Sequence, residues 1–245
     1  IFILLKYMEN IKKFKIYLGI LYVLLISTFL YFFFSKFTLQ ELSSYEFIRN
    51  NVEYFSDLKN QNFFALLTIF FLFVVFWVLL LGFGSPVALA SGFIFGKWIG
   101  TIVIALSLSV GALILYLITI FFFKDLVHQK LGNKMTYLKE LFKKNEFLYF
   151  LVYRFIGGIP FFIANTMPVI FNVKIKNYFL GTLIGMVPQL FIMVSIGSGL
   201  EKIIEANSSP PSFLEIILSK DIYLPLLAFL IIVVISIFLK KKLYK

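Results

Sequence analysis

Gly82-Phe83-Gly84-Ser85-Pro86 breaks the uncharged stretch from Asn62 to Gly96, and Gly157-Gly158-Ile159-Pro160 breaks the stretch from Phe147 to Val173. Each broken stretch is followed by an apolar run long enough to cross a bilayer, 98–123 and 177–200. Glycine and proline interrupt the hydrogen-bond ladder of a helix. In hydrocarbon, unpaired backbone survives only where it is buried in protein or lines a wet cavity. Two interrupted segments at matching positions are the sequence sign of an inverted repeat with a binding site near the membrane midplane. The chain therefore reads as a translocator of lipid or solute rather than a simple anchor.

Composition supports a bilayer as the solvent. Of 245 residues, 61% are hydrophobic and 20% aromatic, more apolar surface than a soluble domain needs. The absence of cysteine removes disulfides, thiolate metal sites and a cysteine nucleophile. The net charge of +11 would suggest nucleic acid in a soluble protein. Here the lysines flank apolar runs, where they set orientation and meet anionic headgroups, so the expected partners are membrane lipids and not nucleic acid. The chain begins with Ile1, and Met8 opens Met-Glu-Asn-Ile-Lys-Lys, an alternative start.

The chain divides into 1–61, a 62–200 core and 201–245. Residues 16–35 read as an uncleaved first span, too long for a signal-peptide core. In 38–60, Tyr45, Ile48, Val52 and Phe55 share one helical face, and Ser43 with Glu46 fits a capping box. This is a helix on the membrane surface or one packed on the bundle. The core comprises an interrupted segment 62–96, a span 98–123, a basic loop 124–146, an interrupted segment 147–173 and a span 177–200. A last span follows an outer loop bearing Ser-Ser-Pro-Pro.

Charge parity assigns the interrupted segments. Lysines cluster before residue 16, in 124–146, at Lys174 and Lys176, and at the C-terminal end; acids cluster at Glu41–Asp57 and Glu201–Asp221. The positive-inside rule places the lysine groups, and both termini, in the cytoplasm. Parity then holds if 62–96 enters from outside and returns, and 147–173 enters from inside and returns. It also holds if 62–81 spans by itself and three ordinary crossings lie between 62 and 123, the middle one short. The fold class expected is all-α integral membrane: an inverted repeat of two re-entrant helical hairpins, each followed by a transmembrane helix, plus N- and C-terminal spans.

Arg154 is the only charge inside the second interrupted segment, one helical turn before its break. An ionisable group at membrane depth is costly and marks a function, here binding of phosphate by a guanidinium, with backbone N–H groups freed at Gly157 and Gly158 by the break that Pro160 closes. Snorkelling to the interface is the alternative. Ser85 and Pro86 form the opposite tip. Asn165, Asn172, Asn177 and Gln189 are uncharged polar groups for a headgroup or for interhelical bonds. Gly92, Gly96 and Gly100, with Gly181 and Gly185, form small-residue stripes for close helix approach. Pro168 and Pro188 read as kinks or element ends. Asp125 and His128 make a solvated loop pair or a proton relay. With no paired membrane carboxylates, metal cluster or Ser/His/Asp grouping in the pattern, no enzyme activity and no cofactor are expected.

From Gly84 to Leu200 the chain resembles the VTT domain, or SNARE-associated Golgi protein family, related to bacterial DedA proteins. The residues that carry this are Ser-Pro-Val-Ala-Leu-Ala-Ser-Gly-Phe-Ile-Phe-Gly (85–96) with Gly100 and Gly111, Tyr-Arg-Phe-Ile-Gly-Gly-Ile-Pro-Phe (153–161) with Asn165, and Tyr-Phe-Leu-Gly-Thr-Leu-Ile-Gly-Met-Val-Pro (178–188). The resemblance implies two opposed re-entrant hairpins and transport or scrambling of lipids, including phosphorylated polyprenyl carriers in bacterial members. Arg154 matches the family's arginine before the second break. The chain departs from the DedA pattern at the first tip, where Gly84-Ser85-Pro86 has no acid. This argues against proton-coupled polyprenyl-phosphate transport. Gly157 also stands where a proline is expected.

The function expected is translocation or scrambling of a phosphate-bearing lipid, its headgroup held near Arg154. The alternatives are a small-anion or ion-coupled transporter and a non-transporting membrane-assembly scaffold. A homo-oligomer is compatible with the sequence. Lysine-rich usage suggests an AT-rich genome and hence a bacterial plasma membrane.

Overall fold

In the computed structural model, described for 45–131, 136–156, 159–206 and 212–243 with isolated positions between 17 and 35, the described elements are all helical. Most of the first span, Ser43 of the expected cap, the tip residues Gly157 and Gly158, and 207–211 lie outside the described residues. The side chains of Tyr45, Ile48 and Val52 lie outside them too. Contacts divide the chain into Ile1–Ile48 and Arg49–Lys245. The second unit carries the core.

Helix α1 (Tyr45–Leu79) is two rods, because Asn62 leaves helical geometry at φ −146°, ψ 60°. The rod over 63–79 is about 25 Å long at 1.5 Å per residue. It ends in a tight reversal. The Leu81 N–H bonds the Val78 carbonyl and the Gly82 N–H bonds the Trp77 carbonyl, both at 3.0 Å. This is a Schellman motif with Leu81, at φ 61°, in the left-handed position that usually takes glycine. The Trp77 indole donates to the Phe83 carbonyl at 2.8 Å, and a side chain on Gly82 would collide with its ring. The break therefore occupies 80–83. It falls ahead of the expected Gly82–Pro86, because Gly84, Ser85 and Pro86 already form the first turn of α2 (Gly84–Leu131), where proline is tolerated.

Helix α2 bends at Gly96, whose φ of 72° and ψ of 174° exclude other residue types without strain. The rod over 84–95 is roughly 18 Å long, too short for a hydrocarbon core of about 30 Å. Ser91 Oγ donates to the Gly100 carbonyl at 2.8 Å across this bend. At the base of the pair, Phe95 meets Phe63 and Phe70 edge-on, with centroids 6.3 and 5.3 Å apart. Entry and exit of the first interrupted segment thus lie side by side.

The expected basic loop 124–146 is mostly helix. Helix α2 runs on to Leu131, and α3 (Thr136–Lys144) buries Leu141 and Phe142 while exposing Lys143 and Lys144. An apolar stripe at helical spacing outweighs the charge run in setting its structure. Helix α4 (Glu146–Ile156) leads to the second break. Beyond it, α5 (Phe161–Thr166) and a 3-10 turn (Met167–Phe171) form the return arm. Pro168 opens that turn, and Asn172 closes it in left-handed geometry at φ 51°. Helix α6 (Ile175–Ala206) follows, with Pro188 inside it. One Glu146 carboxylate oxygen accepts from the Lys174 N–H at 2.8 Å and from the Asn177 amide at 2.7 Å. The second segment therefore also leaves and returns at one place. Ser212 and Glu215 cap α7 (Phe213–Leu218), and α8 (Lys220–Leu243) completes the unit.

The two halves pack by one scheme. Each first arm lies on the long helix of its own half: Gly111 under Val78, Gly181 under Phe150, and Gly185 under Leu151 and Arg154. The second arms reach the other half. A Cβ on Gly92 would strike the Val194 carbonyl, and one on Gly197 the Leu89 carbonyl. The second arm of the second half ends against α2, where the Tyr116 hydroxyl donates to the Val173 carbonyl at 2.7 Å. Gly100 sits 2.7 Å, measured from its would-be Cβ, from the Ser91 carbonyl oxygen. Gly96 differs from the rest of its stripe: a Cβ there would meet nothing within 4 Å, so its role is conformational rather than one of packing.

Buried residues such as Val74, Ala88, Leu108 and Val194 form the core, while Leu72, Ile102, Phe121 and Ile231 point outward. Apolar surface on the outside is what hydrocarbon solvent permits. Three stretches, Asp57–Leu79, Gly84–Phe122 and Ile175–Ala206, are long and apolar enough to cross a membrane.

Candidate functional site

A cavity of about 370 Å³ lies where the two breaks meet. Phe83, Gly84 and Ser85 reach it from the first; Ile159, Pro160 and Phe161 from the second. Arg154 and Gln189 stand in its wall, and Phe229 of α8 borders it. Its size is that of an ordinary small-ligand pocket.

Arg154 is 4% exposed, in the last turn of α4. Its Nη1 donates to Asn165 Oδ1 and its Nη2 to the Tyr178 hydroxyl, both at 2.8 Å. The guanidinium also lies over the rings of Phe150 and Tyr178, 5.2 and 5.1 Å from their centroids. Ring faces attract cations most strongly where water is excluded. Among the described residues, no carboxylate forms an ion pair with Arg154; the ion pairs are Lys59–Glu201 and Lys202–Asp221. A buried charge without a counter-ion carries a large desolvation cost unless hydrogen bonds or a bound ion offset it.

Tyr178 organises the surroundings. Fully buried, it stacks between Tyr116, at 4.1 Å and 13°, and Phe150, at 5.1 Å. Its hydroxyl accepts from Arg154, and its proton faces the carbonyl oxygens of Asn165 at 2.9 Å and Ala112 at 3.2 Å. One side chain thereby ties α2, α4, α5 and α6 together. Tyr153 adds a bond to the Ala164 carbonyl at 3.3 Å, and the Gln189 amide donates to the Phe155 carbonyl, satisfying an orphan acceptor at the end of α4.

The donors are not exhausted. Arg154 uses two of its five N–H groups, and its Nε has no partner. Asn165 Nδ2 and Thr182 Oγ1 are likewise buried and unpartnered. All three can donate to an acceptor. The local surplus of donors and the unpaired positive charge make this an anion-seeking environment.

Of the residues expected at the site, Arg154, Pro160 and Ser85 line the cavity, and Asn165 holds Arg154 from behind its wall. Pro86 lies beside Ser85 but outside the lining, and Gly157 and Gly158 are outside the described residues. Asn177 serves the Glu146 clasp, and Asn172 the 3-10 turn. The sequence pattern gave no reason to single out Tyr178, Tyr116 or Thr182. They lie 24 or more residues from Arg154, and an aromatic in a span reads as core until its neighbours are known.

The VTT domain model matches residues 83–199, from the end of the first reversal into the last turns of α6. "Transmembrane protein 41 homolog" of Caenorhabditis elegans is 25% identical over 137 residues, which cover 53% of this chain and 56% of that protein. The chain thus matches about half the length of that curated relative. No solved structure matches. The family match covers the second break, Arg154 and, apart from Phe229, the residues that line the cavity, and the apolar helices supply the membrane-crossing segments. The chain is an integral membrane protein that carries a VTT domain over residues 83–199.

Proposed function

We propose that the protein moves phosphate-bearing lipids between leaflets, with the headgroup passing through the cavity between the two breaks and its phosphate held by Arg154. In this reading 62–96 and 147–173 are re-entrant hairpins that dip into the bilayer from opposite faces. The short arms, and bases closed by Phe63 with Phe95 and by Glu146 with Lys174, support that reading. The observation that carries it is Arg154 itself: a buried cation with no carboxylate partner among the described residues, its Nε unpartnered, in the wall of a cavity that both tips line. The largely apolar wall suits a headgroup whose tails stay in hydrocarbon. The lysine distribution supports a cytoplasmic position for both termini. The name of the nematode relative, a transmembrane protein, agrees with the membrane setting.

Reconstitution into phosphatidylcholine vesicles containing a trace of tail-labelled phospholipid tests this. Label in the inner leaflet becomes accessible to a membrane-impermeant quencher only if lipid crosses. Protein-dependent loss of protection is expected, and Arg154→Ala should remove it while the variant remains monodisperse and folded. Wild-type protein that leaves the protected fraction unchanged, or an Arg154→Ala variant as active as wild type, would overturn the proposal. Movement of inorganic anions without lipid would favour the small-anion alternative.

A further inference from the structure

The charge count of the cavity sets which phosphate it accepts. Arg154 is the one charged side chain among the described residues that line it; the rest of the wall is apolar or neutral, as at Leu108, Phe161, Met186 and Gln189. The titratable groups that face the guanidinium there are the phenols of Tyr153 and Tyr178. No lysine or histidine joins them among those residues, and the unpartnered neighbours, Asn165 Nδ2 and Thr182 Oγ1, are neutral donors. One positive charge, on a guanidinium that is itself buried, balances one negative charge. A second negative charge beside it would find no partner among the side chains that line the cavity. A phosphodiester carries one charge. A phosphomonoester carries nearly two at neutral pH, since its second pKa is about 6.

We infer that the cavity selects lipids whose phosphate is a singly charged diester and rejects those ending in a doubly charged monoester. The inference rests on the lipid-moving reading above and adds to it the class of headgroup. Arg154 takes the diester oxygens, while the esterified remainder of the headgroup occupies the space beside Ser85 and Pro160. A monoester becomes acceptable once it takes up a proton and carries a single charge.

The test compares tail-labelled phosphatidylglycerol with tail-labelled phosphatidic acid of the same acyl chains, each at trace level in phosphatidylcholine vesicles containing the full chain. Rates in protein-free vesicles are subtracted at each pH. At about pH 8 the glycerol diester should cross roughly tenfold faster or more than the monoester. At about pH 5 the two rates should converge, because the monoester is then singly charged. Ser85 is an exposed position on the cavity wall, so Ser85→Lys adds a second cation there; it should raise the phosphatidic acid rate at high pH and narrow the ratio. Equal rates at high pH, a preference for the monoester, or a ratio unmoved by Ser85→Lys would overturn the inference while leaving lipid movement standing. If neither lipid crosses faster than in protein-free vesicles, the proposed function fails, and this inference fails with it.

Discussion

The two interrupted segments share a plan and differ in chemistry. The first closes its base with Phe63 and Phe70 against Phe95 and ties its tip with the Trp77 indole. The second closes its base with the Glu146 carboxylate and fills its interior with Arg154, Asn165 and Tyr178. Both arrangements bring entry and exit together, one by excluding apolar rings from water and the other by charge-assisted hydrogen bonds. The first segment brings no charged side chain to the cavity and serves as its wall. The second presents the charge and the free donors, and it is the one a ligand would feel. A repeated topology does not require repeated chemistry; one half can supply the shape and the other the affinity.

The contact the halves share is the place to break both at once. Gly92 and Gly197 each face a carbonyl of the opposing helix with no room for a methyl. Gly92→Ala and Gly197→Ala should each cost about 3 kcal/mol or more, because backbone must move apart and a long interface separates with it. Thermal unfolding in detergent, followed by size-exclusion profile, should show the loss. A variant with wild-type melting behaviour would mean the helices do not cross there.

Next come the tyrosines, which separate positioning of Arg154 from scaffolding of the halves. Tyr178→Phe removes the acceptor of Arg154 Nη2 and the donor to the second arm, whereas Tyr116→Phe removes only the tie to Val173. Each should lower stability by about 1–2 kcal/mol. Lipid movement should fall much further in Tyr178→Phe. Equal activity losses at equal stability would show that Tyr178 acts as scaffold alone.

The two bases sharpen the contrast further. Glu146→Ala strips a half-buried, charge-assisted clasp of its acceptor and should cost about 1–3 kcal/mol. It should also speed amide exchange across 147–173 while leaving 63–95 protected. Exchange rising equally in both segments would deny that the halves are separately closed. A cost of the same order is expected at Gly96→Ala, about 1–3 kcal/mol from backbone conformation alone, since the space around it is open. The smallest effect has the opposite sign. Leu81→Gly relieves the left-handed residue of the first reversal and should stabilise by about 0.5–1 kcal/mol, read as a rise in melting temperature. A fall would mean the leucine side chain contributes more to the tip than its backbone costs.

Much of the architecture was legible in the chain because membrane solvent leaves few options. Long apolar runs must be helices, and glycine–proline clusters inside them must be breaks. Asn62 and Gly96, the expected limits of the first broken stretch, are where α1 and α2 kink internally. The first tip was misplaced by two residues, since Pro86 marks the start of a helix as readily as its end. The stretch 124–146 looked like a loop because six lysines dominate it, yet Leu141 and Phe142 find a buried seat and make it helical. That seat is supplied by other elements, such as Phe171, whose ring stacks on Phe142 at 4.3 Å.

By itself the sequence determined the solvent, the class of secondary structure, the two breaks and the anomaly of Arg154, because each depends on local composition and on the cost of a charge in hydrocarbon. Only the tertiary structure decided that Tyr178 grips Arg154, that Gly92 and Gly197 carry the contact between halves while Gly96 does not, and that both tips open on one cavity. These are pairings between residues far apart in the chain. Helical periodicity says which face a side chain occupies but not what stands opposite it, and partner choice is settled by packing of the whole.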